Sequence, residues 1–461
     1  MLRFIFKRNP AHGKLNSVVA TLLITAGFIA GCGTTTGNGQ PFVLNDDGGW
    51  CWFQDPRAVI HDGKLVVGSV ATGRNDSLRT GDIEATVYDL NTKKITRVEL
   101  YDRLQHDDHA TPAFLVRPDG RFLTVFAKHG NENHFYYRIS EPNDPTQWGD
   151  IQEYAPSRST RLTYSNIYLL PAEQNRIYDF FRGLDDSFKP SFVYSNDLGS
   201  SWSTGNVFIQ VPAKFRHRPY VKYASNGSDE IHMLYTEGHP RVYDNSLYHM
   251  YYKDGVLHHS DGTPITKLAN GLNRPEEGTR IFQGDSNHVA WSVDLELDNE
   301  NRPYAVYSVQ VGDAGLPPHQ GGEDLRYRYA RWDGRQWHDF PLAYAGTRLY
   351  SGEDDYSGLA ALDPDNLNVV YISTDADPVT GDPLISDADG QRHYEIYKGV
   401  TDNDGQNWTW TAITSNSTED NLRPIVPKWN TRQTMLLWLR GEYQAYTDYS
   451  QEVMAMVLAG K

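Results

Sequence analysis

The chain has 461 residues, 39% of them hydrophobic and 12% aromatic, and a formal net charge of −16. That is enough apolar material for a large core, and so acidic a surface argues against nucleic acid as a partner. An anionic ligand would need a local basic cleft in an acidic body. Tyr (29), Trp (11) and Gly (39) are abundant, apolar runs are short and no long amphipathic helix stands out, which favours an all-β architecture.

Residues 1–31 read as a leader rather than as part of the fold. Arg3, Lys7, Arg8 and Lys14 make a basic start, and Val18–Ala30 is an apolar stretch too short to span a bilayer as an ordinary helix. Ile29-Ala30-Gly31-Cys32 resembles a bacterial lipobox. The resemblance implies cleavage before Cys32, lipid attachment to its thiol and, with Gly33 following, anchoring at the outer membrane or cell surface. Losing the four basic residues takes the net charge from −16 to −20. Residues 32–48 are expected to form a flexible tether. Beyond Cys32 the only cysteine is Cys51, so no disulfide is expected within the folded part.

From there one hairpin recurs seven times: residues 55–71, 106–130, 163–183, 217–238, 288–308, 355–375 and 421–441. Each copy has a small residue or Pro near its start, an apolar strand, a polar turn and a second strand rich in Val, Tyr and Phe. Arg57, Pro112, Ser165 and Pro219 mark equivalent points 55, 53 and 54 residues apart, and later gaps widen through longer loops. Between copies, Ser195–Trp202 resembles an Asp-box motif, Thr401–Trp408 keeps its spacing with Asn for Asp, and Trp332-Asp333-Gly334 is a weaker relative. These are read as structural turns. Seven such units predict a single seven-bladed β-propeller over residues 49–461, exposed edges being removed by ring closure. Two packed sandwiches are the alternative fold, and a monomer is expected.

The second copy carries the first chemistry. Folding it about Asp119-Gly120 sets His109 beside His129 at the open end of the hairpin, a pairing suited to proton transfer near neutral pH. The same folding of the third copy makes Tyr164 and Arg182 neighbours. If the first strand of each unit lines a central channel, His109, Tyr164, Arg218, His288, Tyr356 and Arg423 occupy the rim, with Arg216 and Tyr220 close to it. Arg suits bidentate recognition of carboxylate or sulfate, and His and Tyr suit proton transfer. No paired-carboxylate set, nucleophile elbow, P-loop or dinucleotide fingerprint is evident. His239 and His249, with Asp244, are considered as ligands of a structural divalent metal, although their spacing matches no zinc pattern.

On the stretches 107–130, 163–166, 180–183, 217–224 and 236–241, the chain resembles the BNR-repeat polysaccharide lyases, specifically the ulvan lyases of families 24 and 25. The likeness spans about residues 50–455. It implies eliminative cleavage of a sulfated rhamnose–uronate polymer at a 4-linked uronic acid, with no cofactor needed for the chemistry. His109 and Tyr164 would be the base and acid in undecided order, Arg182 the carboxylate neutraliser with Arg218 next, and His129 an orienting or assisting group. Arg216, Tyr220 and Arg280 would contact flanking sugars. A sialidase-like glycoside hydrolase and a non-catalytic glycan-binding lipoprotein are the competing readings.

Overall fold

The structure is a computed structural model that describes residues 39–185, 188–210, 218–430 and 432–459. The leader and Cys32 lie outside these residues. Seven antiparallel sheets form the blades of a β-propeller, and the described residues contain no α-helix, only four single turns of 3-10 helix. Blade one runs from Ala58–His61 to Ile95–Tyr101, blade two from Ala113–Val116 to Gln152–Tyr154, and blade three from Ser159–Leu170 to Ser203–Val207. Blade four begins at Val221–Ser225 and adds extra outer strands, the last being Thr279–Phe282. Blade five spans His288–Leu297 to Trp337–Gly346, and blade six Ala360–Leu362 to Thr409–Ala412. All seven expected hairpins supply the first two strands of a blade.

Blade seven corrects the expected boundary of the tether. Its strands Asn421–Ile425, Gln433–Ala445 and Asp448–Ala459 are completed by Phe42–Asn45, with Phe42 opposite Ala455. Residues 42–45 therefore close the ring rather than hang from it. Pairing the start of the fold to its end adds the outer strand of the last sheet, so that the first and last parts of the fold share one blade and the ring is fastened shut.

The channel is filled by the segment that follows. Trp52 and Phe53 are buried among the first strands, with Trp52 against Trp291 and Tyr356 at 5.2 and 5.0 Å, and Phe53 against Tyr220 at 4.8 Å. The backbone around them is tied to blades in turn. Pro56 O accepts from Phe114 N at 2.8 Å, Asp55 O from Ile167 N at 3.0 Å, and Trp52 O from Lys222 Nζ at 2.6 Å. Trp52 Nε1 donates to Ser292 O at 3.3 Å, in blade five. One aromatic peg thus joins the inner edges of several sheets. Trp52→Ala should cost about 3–5 kcal/mol through the cavity it leaves; denaturant unfolding checks this, and a loss under about 1 kcal/mol would mean the channel collapses around the gap.

The Asp boxes are turns, as expected. Asp197 Oδ1 accepts from Ser201 N and from Ser195 Oγ, both at 2.8 Å, and Asn403 Oδ1 takes the equivalent bond from Asn407 N at 3.0 Å.

Candidate functional site

The site is organised by a carboxylate that the sequence reading overlooked. Asp107 caps a single helical turn, Asp108–Ala110, by accepting from His109 N at 3.0 Å. The same carboxylate reaches both histidines: Oδ1 lies 2.8 Å from His109 Nδ1 and Oδ2 lies 2.9 Å from His129 Nδ1. The rings stack with centroids 3.9 Å apart and planes 5° from parallel, and Tyr446 meets both edge-on. With Nδ1 of each ring turned to Asp107, both Nε2 atoms face away from it.

Asp108 fixes the next layer. Its Oδ1 lies 2.8 Å from His109 Nδ1, and its Oδ2 accepts from Tyr443 Oη at 2.8 Å and Arg423 Nη1 at 2.5 Å. Arg423, Asp108 and Tyr443 are buried, so this is a charge pair held by hydrogen bonds on both sides.

These contacts assign the protons. Burial works against a charge on His109, but Cys51, Tyr164, Asp107 and Asp108 outweigh it and hold its pKa well above the ordinary imidazole value. Burial and the neighbouring His109 charge push His129 down to about 4. At neutral pH His109 carries the extra proton. His129 is neutral, and its Nδ1 proton donated to Asp107 leaves a lone pair on Nε2. His129 is also the more open of the two rings, 22% exposed against 5%.

Blade three supplies the phenol and the guanidinium. Tyr164 has φ +66, a left-handed conformation that costs a non-glycine residue energy. It sits in a register shift, so Thr163 rather than Tyr164 is the strand partner of Arg182. The expected neighbours still meet: Arg182 Cζ lies 4.6 Å from the Tyr164 ring centre and 4.6 Å from that of Tyr220. The Tyr164 ring is 5.5 Å from His109. Arg423 repeats the device in blade seven, with φ +51 at a register shift of its own.

Arg182 is 4% exposed, yet its Nε and Nη1 have no partner among the described residues. A buried guanidinium with free donors is costly unless something else satisfies it. Burial raises the pKa of Tyr164, outweighing Arg182 and His109, and keeps it a phenol. Burial also acts on Tyr220, but Arg182 and Arg218 prevail there and lower its pKa. The phenol eased toward ionisation by neighbouring arginine is therefore Tyr220, not Tyr164.

His109, His129, Tyr164, Arg182, Tyr220 and the half-buried Arg218 come together; Arg218 Cζ is 5.9 Å from the Phe188 ring that also meets Arg182. Arg216 lies outside the described residues. Arg280 does not join them: it is exposed on an outer strand of blade four, opposite Tyr248. The rim position expected for His288 is also wrong, because that residue is exposed and bonded to Asp285. A groove of about 550 Å³ beside Tyr178, Tyr194 and Tyr252 contains none of the converging side chains.

The expected metal pair is not formed. Both ring nitrogens of His249 are engaged, Nε2 with His232 at 3.1 Å and Nδ1 with Ser260 at 2.8 Å, and Asp244 is exposed. His239 instead joins Glu353 and Asp355 beside Tyr220, where Arg241 pairs with Glu353 and the Arg241 amide donates to His239 Nδ1 at 3.1 Å. His239 Nε2 lies 3.5 Å from Arg241 Nη2 and 3.9 Å from Glu353 Oε2.

These features define a seven-bladed propeller with a histidine–tyrosine–arginine cluster at its centre. The model of the BNR repeat-containing family matches residues 77–344, and the chain belongs to that family. Among solved structures, the polysaccharide lyase PL25 ulvan lyase bound to -[GlcA(1-4)Rha3S]- is similar at 13% identity, covering 92% of this chain and 96% of that one with a TM-score of 0.65. Polysaccharide lyase Uly1 is similar at 11% identity, with 91% and 98% covered and a TM-score of 0.56. At these identities the likeness is one of fold. No curated protein matches the sequence.

Proposed function

We propose that the protein is a polysaccharide lyase that cleaves ulvan, a sulfated rhamnose–uronate polymer, by β-elimination at a 4-linked uronic acid. The observation that carries this reading is the pair of stacked imidazoles sharing Asp107, one charged and one neutral, beside a buried arginine with free donors. The fold shared with ulvan lyases supports it. Exported, lipid-anchored placement through Cys32 is part of the same proposal.

The difficulty of the reaction is the C5 proton, which is α to a carboxylate and hardly acidic while that carboxylate keeps its charge. Arg182 neutralises it through the free Nε and Nη1 donors and stabilises the enolate-like anion that develops. His129 Nε2 takes the C5 proton, the C4–O4 bond breaks as C4=C5 forms, and Tyr164 protonates the departing O4. The His109 charge adds to the positive field. This gives His129 the base role expected of His109 or Tyr164, because His129 is the ring without the extra proton. No water is consumed.

The base must be neutral to act, so activity is lost as pH falls through the His129 value. The kcat/KM profile on ulvan should hold down through pH 6 and break near pH 4. A break at or above about 6.5, the ordinary imidazole value, would contradict the assignment.

A further inference from the structure

The cluster contains more positive charge than one carboxylate requires. Three guanidinium groups gather on the Phe188 ring: Arg182 with Cζ at 4.7 Å, Arg161 at 4.9 Å and Arg218 at 5.9 Å from its centre. Among the described residues none of the three has a carboxylate within ion-pair distance, although acids outnumber Lys and Arg by 59 to 43 in the chain. Arg218 Nε is buried without a partner, as are Nε and Nη1 of Arg182. Burial depresses the pKa of Arg218, and the nearby Arg182 and Arg161 charges add to it.

Phe188 is held over the catalytic corner. A Cβ on Gly130 would meet its ring at 2.9 Å, and Gly130, at φ +69, follows His129 directly. The ring therefore packs on a position that only glycine fills easily. Arg161 is exposed and lies three residues before Tyr164 on the same strand. The arginines thus run from a buried member at the reacting carboxylate to an exposed one outside it.

We propose that Arg161 and Arg218, braced on Phe188, form a second anion site for the sulfate ester of the sugar next to the cleaved uronate. Arg182 then answers one substrate charge and the outer pair answers another. The inference rests on the lyase reading and adds residues that select the substrate. Guanidinium planes match the spread oxygens of a sulfate, and a bound anion relieves the repulsion within the trio. Selection arises because a desulfated chain leaves the outer charges unanswered.

The test compares native with chemically desulfated ulvan, using unsaturated product as the signal. The wild type should prefer the sulfated polymer, and Arg161→Gln should shrink the ratio of the two kcat/KM values about tenfold, mostly through KM. Arg161→Lys, which keeps charge but loses the planar fork, should fall between them. Equal losses on both polymers would overturn the proposal. Calorimetric titration with sulfated and desulfated oligosaccharides reads the site without turnover. A wild type that cleaves neither polymer sinks the lyase reading. A sulfate-dependent affinity that Arg161→Gln abolishes would still uphold the anion site, and one that it leaves intact would remove it.

Discussion

His129→Ala should lower kcat on ulvan by about 10²- to 10⁴-fold with little change in KM, the range that a positioned proton acceptor contributes. His129 donates Nδ1–H to Asp107 and keeps a free Nε2, so it stands ready to take the C5 proton at neutral pH. Its neighbour is already protonated. Initial rates across a substrate series check this. A variant within about threefold of wild type would show that the proton leaves by another group, with Tyr220, whose pKa Arg182 and Arg218 depress, next in line.

Arg182→Met should lower kcat/KM by at least about 10²-fold while leaving the folded state as stable as before, or more so. The rate falls because the enolate-like anion loses its donors. Stability does not fall with it, because the guanidinium is buried with two nitrogens unpartnered and beside another cation. Met retains much of the length that packs between the rings of Tyr164 and Tyr220. Rates and thermal unfolding on one preparation separate the two effects. A variant that unfolds much earlier would mean that Arg182 holds the blade together rather than serving the reaction.

The blades were legible because each hairpin must alternate apolar strand and polar turn, and that pattern survives changes in loop length. His109 and His129 were legible for the same reason, since a short hairpin fixes which residues face each other. Asp107 was missed because hairpin pairing says nothing about the loop before the first strand. The signal was present in Asp107-Asp108-His109, where tandem acids against a histidine provide orientation and charge. The Tyr164–Arg182 contact was anticipated from simple register, although a shift at positive φ produces it. Trp52 and Phe53 carry no repeat pattern, being a single peg shared by several blades, so periodicity could not find them. Arg280 and the pair His239–His249 failed because distance along an outer strand or a loop does not fix direction. Arg161 escaped notice because its meaning depends on Phe188, more than twenty residues away, turning back to meet it.

The most direct measurement incubates the purified protein with ulvan and follows, in one sample, new reducing ends and the ultraviolet absorbance of unsaturated uronate. Elimination predicts that the two rise one for one, and that both vanish in His129→Ala. Reducing ends appearing without absorbance would mean that water is consumed, and the proposed chemistry of the histidine pair would be wrong.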